Sequence, residues 1–194
     1  MIWQLVAWLW AAWLLYWVVS AIGSKATARR ESFASRLAYI VPLVVGGLLI
    51  GSRHAHWALF AAPLWPPSSI AAWSGVALLA AGLAFSVWAR LHLGANWSGE
   101  VTVKQGHELI RSGPYAWVRH PIYTGLILAL LGTAVTTNRV AAMLGLAIIV
   151  VSFVLKLRAE EVFMRETFPG EYERYAAAVP ALVPFTKPRR SAPR

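Results

Sequence analysis

The chain contains no cysteine and no aspartate. The first absence excludes disulfides, thiolate nucleophiles and cysteine-based metal or redox centres. The second leaves glutamate as the sole carboxylate side chain, with eight copies in 194 residues. Charge of either sign is scarce: charged residues make up 13% of the chain, against ~25% in a soluble domain. Histidine occurs five times, but in no HExxH or comparable spacing. His54 with His56 is the nearest pair and too small a set to hold an ion, so no metal is expected. Apolar residues, at 58%, take the place of the missing charge, and the composition is that of a polytopic membrane protein. The net charge of +10 raises nucleic acid as a partner. The basic residues are not gathered on a polar domain, however, and no nucleic acid is expected.

Runs of apolar residues predict an all-α, polytopic membrane helical bundle with five transmembrane helices. Met1 to Ile22 is rich in tryptophan and long enough to span. With no basic residue at its start and no small-residue cleavage site, it reads as an uncleaved helix rather than a signal peptide. Leu37 to Gly51, Ile70 to Leu91, Pro121 to Thr137 and Val140 to Leu157 supply the other spans, the last two joined by the tight turn Thr137-Asn138-Arg139. His54 to Ser69, with three prolines and two tryptophans, reads as interfacial or re-entrant. The loop from His92 to His120 is expected to be ordered in part, and Glu160 to Ala178 to form a helix leaving the membrane, interrupted near Pro169-Gly170. Residues 1–52 make an N-terminal transmembrane hairpin, and 53–194 a second membrane region. If the N-terminus lies outside, every Lys and Arg except Arg53 and Arg139 falls on the cytoplasmic side, the asymmetry of the positive-inside rule. The C-terminus is then cytoplasmic as well.

This topology brings two polar clusters to one end of the bundle. The first is Gly113-Pro-Tyr-Ala-Trp-Val-Arg-His-Pro-Ile-Tyr-Thr-Gly125, directly before the fourth span. Pro121 suits the first turn of a helix and pushes His120 out of helical geometry. His120 is thus set at a helix mouth that favours an anion. The second cluster is Glu160-Glu161 at the end of the fifth span, with Lys156 four residues before Glu160 and Arg158 three before Glu161. Taken separately, the first is equally an interfacial anchor and the second a solvated, salt-bridged helix end. Because the two spans form a hairpin, their polar ends must meet, and acids at a membrane boundary are costly unless partnered.

The ordered set Gly113-Pro114-Tyr115, Arg119-His120-Pro121-Ile122-Tyr123-Thr124-Gly125, Glu160-Glu161, Phe168-Pro169-Gly170-Glu171-Tyr172, Tyr175 and Val183-Pro184-Phe185 resembles the isoprenylcysteine carboxyl methyltransferase family. That family belongs to a wider group of integral-membrane methyltransferases that includes the phospholipid N-methyltransferases. The resemblance covers about residues 92 to 186. It implies S-adenosyl-L-methionine as cofactor, contacted by His107, Glu108, Leu109, Ile110, Tyr115, His120, Pro121, Ile122, Tyr123 and Glu160. It also implies catalytic roles for His120, Tyr123 and Glu160, and a lipid-like or prenylated acceptor taken from among the membrane lipids. Where the family carries a substrate-contacting arginine four residues before the glutamate, this chain has Lys156, and an ammonium does not reproduce a two-pronged guanidinium. Lys156 and Arg158 are the candidate substrate-binding residues.

Acceptor chemistry separates the reactions open to such a protein. A carboxylate, of pKa about 4, is ionised at neutral pH and needs no base. An ethanolamine amine, near 10 by analogy with lysine, must first lose a proton. The cations Lys156 and Arg158 favour an anionic acceptor and carboxyl O-methylation, with phospholipid N-methylation, a non-enzymatic scaffold and a sterol-type reductase as the competing readings.

Overall fold

A computed structural model describes residues 1–22, 27–30, 33–51, 58–94, 102–104 and 109–186. Among the described residues the regular structure is helical, apart from one short ladder. The helices are α1 (Ile2–Ala21), α2 (Phe33–Gly51), α3 (Ala58–Ala61), α4 (Ser69–Leu93), α5 (Pro121–Thr137), α6 (Val140–Thr167) and α7 (Glu171–Ala178). A 3-10 turn covers Gly113–Ala116. Two strands, β1 (Thr27–Arg30) and β2 (Thr102–Lys104), pair antiparallel with Thr27 opposite Lys104. This ladder is the one departure from the expected all-α chain among the described residues.

Of the expected five spans, three helices are long and apolar enough to cross a membrane: α1, α4 and α6. The apolar parts of α2 (Ser35–Gly51) and α5 are shorter. A helix rises ~1.5 Å per residue, so the 17 residues of α5 fall somewhat short of the ~30 Å hydrocarbon core. Large apolar side chains such as Trp8, Leu14, Leu48 and Ile70 lie on the outside of the bundle, as a lipid-facing surface requires.

Small residues decide which helices meet. Gly75 and Gly82 of α4 lie against Gly132 and Gly125 of α5, and a Cβ on any of the four would run into the facing helix's backbone. The seven-residue spacing, matched on both sides and reversed in order, makes α4 and α5 an antiparallel pair with unusually close axes. Gly46 of α2 meets Gly145 of α6 in the same manner. Thus α1 and α2, consecutive in the chain, pack on different partners, α1 on α4 and α2 on α6. The indoles of α1 serve as donors as well as packing groups: Trp10 donates to Thr133 Oγ1 at 3.1 Å and Trp13 to Ser86 Oγ at 2.8 Å. Each indole N–H thereby finds an acceptor that lipid would not supply.

The turn between α5 and α6 holds the end of the bundle far from the polar clusters. Asn138 adopts the left-handed conformation (φ 50°, ψ 51°) at the end of α5, which its short polar side chain tolerates. That side chain accepts from the N–H groups of Leu64 and Trp65 and donates to the Trp65 carbonyl at 2.8 Å. The proline-rich stretch before α4 is thereby fixed against the hairpin tip. The antiparallel course of α5 and α6 then returns the start of α5 and the end of α6 to one place.

Candidate active site

Pro121 is the first residue of α5, and His120 (φ −124°, ψ 61°) precedes it in a non-helical conformation, as the proline predicts. One helical turn separates His120 from Tyr123, so both rings stand at the mouth of α5, their centroids 5.9 Å apart. From α6 come two adjacent carboxylates. Glu160 Oε2 is 3.6 Å from His120 Nδ1, and Glu161 Oε1 is 3.3 Å from Nε2. The Tyr123 hydroxyl donates to the other oxygen of Glu160. A buried imidazole therefore sits between two carboxylates, one on each ring nitrogen. Burial alone would push its pKa down, but the hydrogen bonds to Glu160 and Glu161, with their charge, outweigh burial and raise it.

Lys156, one turn before Glu160, lies over the rings of Tyr39 and Tyr123, 5.4 and 5.9 Å from their centroids. At such distances the cation is attracted by the ring faces. The Tyr123 ring itself rests against Phe153 at 5.1 Å, which fixes the side of the site nearest the apolar core. Tyr115 is buried beneath α7, where its backbone carbonyl accepts from the Tyr175 hydroxyl at 2.6 Å. Burial, and then the nearby charge of Glu160, push the Tyr115 hydroxyl well above its ordinary range.

Of the residues singled out by sequence, His120, Tyr123, Glu160 and Lys156 are brought together, with Tyr115 close by. Pro121 and Ile122 follow from the helix start. Leu109 and Ile110 are half-buried on the approach to the 3-10 turn. His107 and Glu108 lie outside the described residues. Arg158 is exposed and stands outside the carboxylate–imidazole cluster. It is not the partner of Glu161 that its three-residue spacing suggested. The real partners are Arg119, which reaches Glu161 Oε1 through Nε at 3.0 Å and Nη2 at 2.6 Å, and Arg165, at 2.9 Å from Oε2. Trp117, also in the stretch before α5, stacks on Phe85 and meets Trp88 edge-on at 5.6 Å, on the outer face of α4 and away from the cluster.

Arg119 and Glu161, quoted among the sequence motifs without a site role, and the segment after α7 complete the surroundings of the cluster. The segment returns across the mouth of α5: Arg119 N–H donates to Pro180 O at 2.8 Å, His120 N–H to Ala181 O at 3.0 Å, and Thr124 Oγ1 to Leu182 O at 2.7 Å. One signal was present, the i,i+4 pair of Glu161 with Arg165. The contacts to Arg119 and to residues 180–182 are tertiary and left no local pattern.

Residues 75–166 match the model of the isoprenylcysteine carboxyl methyltransferase (ICMT) family. The chain is 30% identical over 150 residues to the cobalt-zinc-cadmium resistance protein CzcN of Cupriavidus metallidurans, covering 75% of this chain and 60% of that one. It is 30% identical over 129 residues to the human protein-S-isoprenylcysteine O-methyltransferase, covering 63% of this chain and 45% of that protein. A probable enzyme of the same name from rice is 31% identical over 111 residues, 57% of this chain and 53% of the other. The chain thus spans about half the length of the curated relatives it matches. The solved structure of a eukaryotic intramembrane Ras methyltransferase ICMT shares the fold, with a TM-score of 0.52 at 23% identity over 81% of this chain and 55% of that one. The matched span contains His120, Tyr123, Lys156, Glu160 and Glu161 of the cluster, and over that span the chain is similar to the isoprenylcysteine carboxyl methyltransferase family.

Proposed function

We propose that the protein transfers a methyl group from S-adenosyl-L-methionine to the carboxylate of an isoprenylcysteine-like acceptor held in the membrane. The observation that carries this reading is the meeting of His120, Tyr123 and Glu160 at the shared end of α5 and α6, within the segment matched by the family model. Names of relatives supply the reaction class, and the side chains supply the fit.

The donor set suits the cofactor. Glu160 keeps 25% of its side chain exposed, whereas His120 keeps 8% and Glu161 10%. One carboxylate in the cluster therefore has free lone pairs for ribose hydroxyls or an ammonium group. When bound, S-adenosyl-L-methionine supplies an electrophilic methyl on a sulfonium. What the chain then has to do is orient, neutralise and exclude water. Tyr123 and His120 hold Glu160 from its closed side, so its open side points in a fixed direction. The ring faces of Tyr123 and Tyr115 favour positive charge near them. Lys156, already drawn over the Tyr123 ring, is placed to hold an anionic acceptor beside it. An acceptor carboxylate, ionised at neutral pH, could take the methyl as it stands, with no proton to be removed by the chain. Leu109, Ile110, Pro121 and Ile122 complete the cofactor contacts in this reading, with His107 and Glu108 and, on the acceptor side, Arg158.

We further propose five spans, with α2 and α5 crossing beside α1, α4 and α6, an external N-terminus, and the cluster on the cytoplasmic side, where a soluble cofactor reaches it. A lipid-borne acceptor enters from the bilayer. Residues 53–194 carry the site and residues 1–52 the first two spans.

The test is transfer of labelled methyl by purified protein in lipid nanodiscs. A prenylated cysteine with a free carboxylate is expected to acquire a base-labile methyl ester. Label appearing on lipid amines and never on that carboxylate would assign the site to N-methylation.

A further inference from the structure

We propose that Glu161 and Arg119 are positioning residues: they clamp the segment Val179–Leu182 onto the start of α5 and hold the ring of His120 from its Nε2 side, so that Nδ1 is kept facing Glu160. The inference rests on the methyltransferase reading for its consequence and on contacts alone for its geometry.

One guanidinium spans four pieces of chain. Arg119 precedes α5, and its Nε and Nη2 meet Glu161 of α6. Its Nη1 donates to Ala176 O of α7 at 3.1 Å and to Val179 O beyond it at 2.5 Å. The backbone N–H groups of Arg119 and His120 take the next two carbonyls, Pro180 and Ala181. The planar fork of an arginine makes such divergent contacts at once, and a lysine cannot. Leu182 then packs into the apolar cluster of Tyr123, Phe153 and Leu157. All of the clamped segment lies beyond residue 166, outside the span matched by the family model.

The same Glu161 oxygen that receives Arg119 also meets His120 Nε2. A histidine ring has two broad orientations about its outer torsion, and exchanging them would put Cδ2 and Cε1 where Nδ1 and Nε2 now face Glu160 and Glu161. With Arg119 fixing Glu161, and Glu161 fixing Nε2, one orientation is retained. The titratable groups facing this ring are Glu160 and Glu161 from α6 and Tyr123 from α5, with Arg119 on the far side of Glu161. The returning segment offers backbone carbonyls only.

The experiment compares wild type, Glu161→Gln and Arg119→Lys in the full chain, with Arg111→Gln, at an exposed ion pair with Glu171, as the remote control. The first readout is the 15N signal of the His120 imidazole in cofactor-free protein, identified by its loss in His120→Gln. Followed across a pH titration, wild type is expected to keep both ring nitrogens protonated to higher pH than Glu161→Gln, because one of the two carboxylates facing the ring is lost. The second readout is turnover. Glu161→Gln should lower kcat roughly 100-fold, the order expected when a reacting geometry slips, while the acceptor KM stays nearly constant and the high-pH limb of the profile moves to lower pH. Arg119→Lys should keep the wild-type ring signal and lower kcat by a smaller factor. A Glu161→Gln ring that titrates like wild type, or an unchanged kcat, overturns the proposal. Should Glu161→Gln fail to fold, Arg119→Lys with unaltered kcat overturns it instead. Wild type that methylates no lipid acceptor overturns the proposed function, and the ring signals still decide whether Glu161 fixes the imidazole.

Discussion

The Nδ1 atom of His120 and a carboxylate oxygen of Glu160 lie 3.6 Å apart at the common end of α5 and α6. The two residues come from different helices and are adjacent because the hairpin turn at Asn138 returns the chain on itself. Their proximity, with Tyr123 donating to the same carboxylate, is the basis of each functional expectation below.

Glu160→Gln keeps the size of the side chain and removes its charge. Because Glu160 is the one partly open carboxylate of the cluster, cofactor affinity should fall by about 10- to 100-fold, the range for losing a hydrogen bond to a charged group (about 1.5–3 kcal/mol). Equilibrium binding of S-adenosylhomocysteine measures this, with helical content by circular dichroism unchanged. Tyr123→Phe should give a smaller loss, since the carboxylate survives without its fixed donor.

The raised pKa of His120 sets a direction for stability against pH. A group whose folded pKa lies above its unfolded value binds its proton more tightly when folded. Its contribution is complete below the ordinary histidine value of ~6.5 and is lost as pH rises through the folded value. Cofactor-free protein should therefore lose thermal stability over that window, and His120→Gln should flatten the step. A melting profile recorded in one detergent from pH 6 upward is the check.

On the proposed reading, Lys156 separates acceptor binding from cofactor binding. Held over Tyr39 and Tyr123, it is placed to neutralise an anionic acceptor, so Lys156→Ala should raise the acceptor KM by about tenfold or more and leave S-adenosylhomocysteine affinity near wild type. Lys156→Arg, with a guanidinium in place of the ammonium, tests whether this position sets acceptor preference. A shift in the relative kcat/KM of two prenylated carboxylates is the expected result.

Packing predicts a different kind of loss. A side chain at Gly82 would meet the backbone of Gly125 and Ala129, and rigid backbone on the facing helix cannot yield as a side chain does. Gly82→Val should destabilise the bundle by about 1–3 kcal/mol, the usual cost of overpacking. Gly47, whose Cβ position is open, should accept alanine with little change. Thermal unfolding in detergent distinguishes the two.

Much of this architecture was legible locally. Pro121 announced the start of α5 and the non-helical His120, Asn138 the hairpin turn, and Gly170 the break before α7, because each depends on backbone chemistry carried by one or two residues. The meeting of His120 with Glu160 followed from the hairpin. Which spans pair was not legible, since an apolar helix in lipid shows little difference between its faces, and the glycines at 75, 82, 125 and 132 become a signal only once their partners are known. The Arg119–Glu161 clamp was hidden for a related reason. Nearby Arg158 offered Glu161 a partner at helical spacing, while the actual partner came from another element, and nothing in the order of residues 179–182 shows that their carbonyls cross the mouth of α5. The ladder between β1 and β2 joins two loops distant in sequence and escaped notice likewise.

The account's central claim is that His120, Tyr123 and Glu160 together form the seat of a methyl-donor cofactor. Binding of labelled S-adenosyl-L-methionine to the purified full-length chain, measured side by side for wild type, Glu160→Gln and His120→Gln at equal folded fraction, addresses it most directly. Saturable binding by wild type, weakened at least tenfold in both variants, is the predicted result. No binding by wild type, or equal binding by all three proteins, would contradict it.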